Sequence, residues 1–404
     1  MGNKARHTRR IEADERRARL AVRHRLAGTA RAASAEEVAG SLVALHATDP
    51  ATVFLAVGAR LAGKQGVAGP VAGVEKALYE DRALTRMHGM RHTIFVFPTA
   101  LVPAVHASTT RDAATRERAM LLKHLAKGSE YDDAWLTETE RQVLAELTVR
   151  GEATGAELGE AVPRLRAQYM YGVGTRQEGP QPLSSRLLRI LGMEGRIARG
   201  RPQGTWTSSR FRWEPTPERP DPSDEFAHAE LVRQWLAACG PATEADLKWW
   251  TGWKVTDVRK ALAAIGAEPV ELAEGTGHVL PDDLDPVRAA DLEPWAALLP
   301  ALDPTAMGWQ YRDWYTDPAH KAALFDRSGN IGPTVWWNGR VVGGWAQRPD
   351  GEIAIRFLSD LSDEGGSEAE AAVEAEAARL RGWVGDVRVT PRFRTPLERE
   401  LSGA

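Results

Sequence analysis

The most reactive grouping in this 404-residue sequence is three residues within four positions. In the segment LHATDP, His46, Thr48 and Asp49 separate two stretches of helical apolar period, and Pro50 is placed to open the second. Side chains two apart point the same way in an extended backbone. An imidazole and a hydroxyl therefore stand side by side at 46 and 48 and can hold a water between them. The same residues also read structurally, His46 as a core histidine and Asp49 as an N-cap for Pro50, and spacing alone leaves both readings open. Other catalytic signatures are missing: the sequence has no GxxxxGK[ST], GxSxG or HExxH. His88 and His92 are four apart but fall at a strand–turn junction, which argues against a metal site. GVGTRQ at 172–177 lacks both the preceding strand and the final glycine of a dinucleotide loop. Cys239 is the only cysteine, so an internal disulfide, a zinc ribbon and a cysteine-ligated cluster are excluded, and no metal or cofactor is expected.

Positive charge gathers at one helix and the hairpin after it. Projected at about 100° per residue, helix 183–194 puts Leu183, Leu187, Leu188, Ile190 and Leu191 on one side and Ser185, Arg186 and Arg189 on the other. The following hairpin carries Arg196, Arg199, Arg201, Arg210 and Arg212, with Trp206 and Trp213 between them. Such a helix suits a major groove about 12 Å wide, and the hairpin arginines suit phosphates or a minor groove. Lys254, Arg259 and Lys260 are a thinner signal of the same kind in the next block.

The elements that carry these groups repeat a plan. Capping pairs at Ser34/Glu37, Thr137/Glu140, Thr154/Glu157 and, more weakly, Thr243/Asp246 each precede an apolar pattern of helical period. The first block reads as helices at about 34–45, 51–62 and 73–81, then strands at about 83–88 and 91–97. The second reads as helix 137–150, a turn with a short helix, a Gly/Tyr/Pro-rich loop at 169–182, helix 183–194 and a hairpin turning near Gln203-Gly204. The third reads as helix 227–239, helices at about 243–251 and 256–265, and a hairpin turning at 274–277. Helix, helix, helix, hairpin is a winged-helix plan, here met three times without sequence repetition. Beyond about 294, Asn338-Gly339 and Asp350-Gly351 mark a three-stranded meander, followed by an acidic helix at about 367–382 and a last strand at 384–390. The expected fold is α+β: three tandem winged-helix modules at 1–125 (with a basic N-terminal arm), 126–222 and 223–290, then a small β-rich domain at 291–404.

Length and composition agree with two to four globular domains. No apolar run approaches the roughly 18–20 residues of a membrane span, and the N-terminus is charged throughout, unlike a secretory signal. A cytoplasmic, nucleoid-associated protein is expected. The net charge of -3 is a sum of opposing patches. Residues 1–25 carry nine Lys or Arg against three acids, and residues 360–376 carry seven acids and no base. Polyanion binding is thus compatible with the total.

Several stretches together resemble the AlkZ/YcaQ-type winged-helix DNA glycosylases of bacteria. LHATDP resembles that family's motif of Gln, any residue, Gln or Asp; MRHTIFVFP resembles its arginine-bearing strand. GPATEADLKWWTGW is similar to its third-module helix-turn-helix, and LLPALDPTAMGWQYRDWY with GNIGPTVWWNGRVVGGW to its C-terminal domain. The resemblance implies hydrolysis of the N-glycosidic bond of bulky N-alkylated purines, or unhooking of crosslinks, on double-stranded DNA, with a role in self-resistance to alkylating antibiotics; a monomer is expected because three winged helices can grip a duplex without a partner. It places His46 and Thr48 at the two motif positions, where neither is Gln or Asp. An N7-alkylated purine is already a cationic leaving group, so the enzyme must chiefly position a water and stabilise an oxocarbenium-like transition state. Thr48 would orient the water, His46 would accept its proton, Asp49 would be a second electrostatic candidate, and Arg91 would brace a phosphate. The alternative is a non-catalytic winged-helix DNA-binding protein, a lesion sensor or a regulator.

Overall fold

The computed structural model describes residues 8–63, 69–362 and 365–403. It mixes helices and strands in two compact units, one of residues 1–85, 96–100 and 228–404, the other of residues 86–95 and 101–227.

Local capping sets most helix starts. Ser34 Oγ accepts the Glu37 amide ahead of Ala35–Leu42, and the Asp49 carboxylate accepts the Ala51 amide ahead of Pro50–Gly58. Reciprocal boxes form at Thr154/Glu157 ahead of Gly155–Ala161, and at Thr243/Asp246 ahead of Glu244–Thr251. The pair Thr137/Glu140 does not form one. The helix begins earlier, as Asp133–Arg150, because Asp132 accepts the Trp135 amide and caps it first. Thr137 is then interior, and the buried Glu140 carboxylate turns to Arg118 and Arg196 instead, each at 2.8 Å.

The first unit is organised around a buried cation. Arg60 is 0% exposed, and all five of its N–H groups find acceptors. Nε donates to the His24 carbonyl, Nη1 to the Ala56 carbonyl and Asp303 Oδ2, and Nη2 to Asp303 Oδ1 and Thr305 Oγ1, at 2.6–2.9 Å. Because Thr305 Oγ1 accepts from Arg60, its own proton is left for His24 Nδ1 at 2.8 Å, so His24 donates from Nε2 to the Ala238 carbonyl. Burial, then the Arg60 charge, pushes the His24 pKa down to about 3 and keeps the ring neutral.

The expected basic arm is instead a structural tie. Residues 9–11 pair with Glu271 in parallel, and Ile11 joins Val270, Leu272 and Val279 in a small core. In the helix Ala13–Arg23, Arg16 pairs with Glu274, Arg19 with Glu15 and Asp283, and Arg23 with Asp283; Arg9 also binds Glu15. Burial of the long side chains draws these acids in, so the arm's charge is met within the unit. Lys4 and Arg6 lie outside the described residues.

Helix Asp224–Cys239 leads to a short strand, Ala242–Thr243, then helices Glu244–Thr251 and Val255–Ala264. Strands Glu268–Leu272 and Gly275–Val279 close a three-stranded sheet with Gly275–Val279 in the centre. The turn falls at 273–274, ahead of the expected 274–277, because Gly277 already pairs with Val270 and Thr243. The C-terminal sheet has four antiparallel strands in the order Ala296–Leu299, Thr334–Trp337, Arg340–Gln347 and Ile353–Phe357. Asn338 and Gly339, at φ 45° and 84°, make the tight turn that this dipeptide favours. The acidic helix spans Gly366–Val384. The last strand expected at 384–390 is absent. Arg340–Gln347 already has neighbours on both sides, so the Gln347 side chain, not a ladder, takes the Val389 amide and bonds the Val387 carbonyl. A final helix, Pro396–Ser402, packs on that strand.

The second unit has one large core. Leu121 and Leu125 of helix Arg111–Gly128 join Leu136, Val143, Leu147, Leu158, Leu187, Leu191, Ile197 and Trp213. The expected boundary at 125/126 therefore falls inside that helix. Hairpins form from Gln168–Tyr171 with Gly179–Pro182, and from Ile197–Pro202 with Phe211–Pro215. The hairpin Leu84–His88 and Ile94–Pro98 is shared, its tip at 86–95 belonging to the second unit.

Removing the Asp303 carboxylate should strand the Arg60 cation, and Asp303→Ala is expected to cost about 3–5 kcal/mol of unfolding free energy, measured by urea denaturation. An unchanged midpoint would contradict this. A second expectation concerns acid. The folded His24 titrates near 3 against 6.5 ordinarily, so only the unfolded chain binds its proton between those values. Its contribution is intact above pH 6.5 and declines by about 1.4 kcal/mol per pH unit on acidification toward 3. His24→Asn should flatten the stability–pH slope by that amount, and an identical slope would refute the assignment.

Candidate functional site

The loop holding His46 and Thr48 is fixed from behind. Leu45–His46 is a two-residue strand, and burial alternates through the segment: Leu45, Ala47 and Asp49 are buried, His46 and Thr48 half-buried. The imidazole and hydroxyl therefore share the open side, as an extended backbone requires. Asp49 has a different task. Its Oδ1 accepts the Ala51 amide at 3.2 Å and its Oδ2 accepts the Arg392 amide at 2.9 Å. Burial raises its pKa, against the lowering effect of those two amides and the Arg392 charge. Arg392 also reaches the Thr48 carbonyl at 3.5 Å. Arg392 carries no local signal in the sequence, since it meets the loop across 343 positions. Behind the loop, Asp49, Thr52 and Leu55 line a cavity with Ala301, Trp345, Gln347 and Pro391. Its volume, about 10 Å³, is at most one water, so no base fits there. The chemistry open to the loop is thus that of a half-buried histidine and hydroxyl acting on one small molecule between them.

The arginine-rich helix and hairpin lie in the second unit. In Leu183–Met193 the expected apolar side is buried and Ser185 is exposed. Arg186 and Arg189 are only half open, because both bind Glu117 Oε2 of helix Arg111–Gly128, Arg186 at 3.2 Å. Arg196 binds Glu140 at 2.8 Å, and Arg212 binds Glu152 and Glu157 at 2.9 Å. Arg199 lies over Phe211 at 4.2 Å and more distantly over Trp213. Arg201 and Arg210 are exposed, while Trp206 and Trp213 are buried. Four acids, Glu117, Glu140, Glu152 and Glu157, thus face a cluster that reads in sequence as uniformly basic. Glu117 had no signal in the sequence: it falls in the stretch 1–125 assigned to the first block, where no helix is expected near it, yet it lies on helix Arg111–Gly128.

The remaining candidates are exposed. Lys254 precedes helix Val255–Ala264, which carries Lys260 and Arg259, the latter bound to Glu244 at 2.8 Å. Arg91 and His92 form the tip of the shared hairpin, closed by the Gly89 amide on the Thr93 carbonyl at 2.8 Å. His88 is buried whereas His92 is exposed, and no group of three or more metal-type side chains occurs among the described residues. Nor, among them, is any helix long and apolar enough to cross a membrane.

A family model described as DNA glycosylase AlkZ-like matches residues 39–383. The chain belongs to that family of DNA repair glycosylases, and membership implies DNA binding. Among solved structures it is similar to the Streptomyces sahachiroi DNA glycosylase AlkZ, at 19% identity and a TM-score of 0.65, over 95% of this chain and 100% of that one. At that identity the likeness speaks for the fold alone. Curated protein sequences give no match.

Glu117 competes with phosphates for two arginines. Glu117→Gln is expected to tighten binding to an undamaged duplex about three- to tenfold and to steepen the slope of log affinity against log salt by up to about 1.8, as two phosphates replace one carboxylate. Fluorescence anisotropy at several salt concentrations checks both, and an unaltered slope would rule the competition out.

Proposed function

We propose that this chain is a monofunctional DNA glycosylase that hydrolyses the N-glycosidic bond of bulky N-alkylated (N7 or N3) purines, or unhooks crosslinks, with His46 and Thr48 handling the water. The observation that carries the reading is the half-buried side they share on a loop anchored by Asp49 and Arg392. Water adds to C1′ as the bond from C1′ to the purine nitrogen breaks. The bonding pair passes to the base and neutralises its alkylation charge, and the water's proton goes to His46. Thr48 orients the water by donating and accepting hydrogen bonds. Asp49 holds the loop in place; with both oxygens bonded by amides, it acts through position and not as a base.

Three tandem winged helices serve this reading. The order helix, strand, two helices, hairpin at 224–279 supports it for the third block, and the helix–hairpin pair at 183–215 for the second. On that basis Ser185, Arg201 and Arg210, the exposed members of the basic cluster, meet the duplex first, with Arg186, Arg189, Arg196 and Arg212 engaged as phosphates displace their acids and Arg199 engaged beside them. Lys254, Arg259, Lys260 and Arg91 add phosphate contacts. The protein works as a monomer in the cytoplasm, beside the nucleoid, in self-resistance. The runner-up, a non-catalytic lesion sensor or regulator, is favoured by one fact: no carboxylate at the loop is left unbonded.

Duplexes bearing N7-alkylguanine or an interstrand crosslink should yield abasic sites with the wild-type chain. His46→Ala and Thr48→Ala together should cut the rate about 10²–10⁴-fold with lesion binding retained. Turnover equal in the double variant would overturn the catalytic reading. Tight lesion binding with no abasic product would support the sensor, and saturable preference for one undamaged sequence the regulator.

A further inference from the structure

One cation in the second unit has no counter-charge. Arg86, in strand Leu84–His88, is 6% exposed, and its Nε and Nη2 are covered and bonded to no acceptor. No carboxylate among the described residues pairs with it. A guanidinium stays charged at any ordinary pH, so burying it bare is among the costliest choices a fold can make. The other buried arginines among the described residues are met: Arg60 has five acceptors, Arg16 has Glu274, Arg17 has Asp14, and Arg19 has Glu15 and Asp283.

Its surroundings add positive charge. His88, two residues on, shares its face of the strand. Burial, then the charges of Arg199, Arg189 and His92, drive the His88 pKa down to about 3. The field that disfavours a proton there favours an anion. At the hairpin tip, Arg91 and His92 are held at φ 54° and 59°, a left-handed conformation that side-chain-bearing residues rarely keep in succession. Such strain persists where side-chain direction matters, and both residues are exposed.

We propose that Arg86 is the anchor of a phosphate site, and that a backbone phosphodiester of DNA fills it. The assignment of the source rests on the DNA-acting reading above; the anion site does not. A phosphate would supply the oxygens that Nε and Nη2 lack, and bidentate arginine–phosphate pairing suits their geometry.

The test uses the full chain as Arg86→Met, which keeps the bulk of the side chain and removes its charge, and as Arg86→Lys. Inorganic phosphate should raise the melting temperature of the wild type and of Arg86→Lys but not of Arg86→Met. Without phosphate, Arg86→Met should melt no lower than the wild type, since it discards an uncompensated charge. Its affinity for an undamaged duplex should fall about tenfold, and its salt slope should be shallower by about 0.9, one phosphate contact. A lower melting temperature in Arg86→Met with phosphate response and salt slope unchanged would overturn the proposal and make Arg86 a structural residue. If phosphate stabilises the wild type and Arg86→Lys but not Arg86→Met, and no duplex binds even at low salt, the anion site stands and the DNA reading falls.

Discussion

A guanidinium in a protein interior is tolerated only when each of its donors is met, and Arg60 shows what that demands. Its acceptors come from four places in the chain: the end of the first helix, the helix before it, the carboxylate at 303 and the hydroxyl at 305. Satisfying one side chain therefore fixes the meeting of segments distant in sequence. The same hydroxyl sets the tautomer of His24, so the network reaches Ala238. Pro50–Gly58, whose first turn follows the His46–Thr48 loop, runs directly into this network. The loop's position is thus a consequence of charge satisfaction several residues away as much as of its own cap.

Each buried arginine among the described residues has a carboxylate partner, except Arg86. Arginines of the N-terminal helix are matched to Glu15, Glu274 and Asp283, and those of the helix–hairpin cluster to Glu117, Glu140, Glu152 and Glu157. Matched pairs near the surface contribute little to stability, since solvent screens them and the side chains must be held still. In the helix–hairpin cluster each carboxylate occupies the place that, on the proposed reading, an incoming phosphate would take. The near-zero net charge of the chain and its membership in a DNA glycosylase family are compatible for this reason.

What could be read from the sequence was local. Ser34, Thr154 and Thr243 cap as expected because donor and acceptor lie three residues apart, and Asn338-Gly339 turns as expected because the turn needs only its own two residues. Thr137 misled because a better cap, Asp132, stood just upstream. The strand expected at 384–390 failed for a non-local reason: residues 387–389 meet Gln347 of a strand already paired on both sides. In the candidate site, the common direction of His46 and Thr48 followed from the alternation of an extended chain, whereas the role of Asp49 was decided by Arg392. The pairing of Arg186 and Arg189 with Glu117 was equally out of reach, as was the lack of any partner for Arg86, since no pattern of residue types records an empty place.

The bond between Arg60 and Asp303 also has a consequence in time. The two residues are 243 positions apart, and synthesis proceeds at about 5–20 residues per second. For roughly 12–50 s after Arg60 leaves the peptidyl-transferase centre, its carboxylate has not been made, and Arg392, which ties down the loop, comes later still. A nascent chain passes through that interval with the segment bearing His46 and Thr48 already translated but without its two distant anchors. Newly made copies therefore gain both distant anchors only once residue 392 has been added.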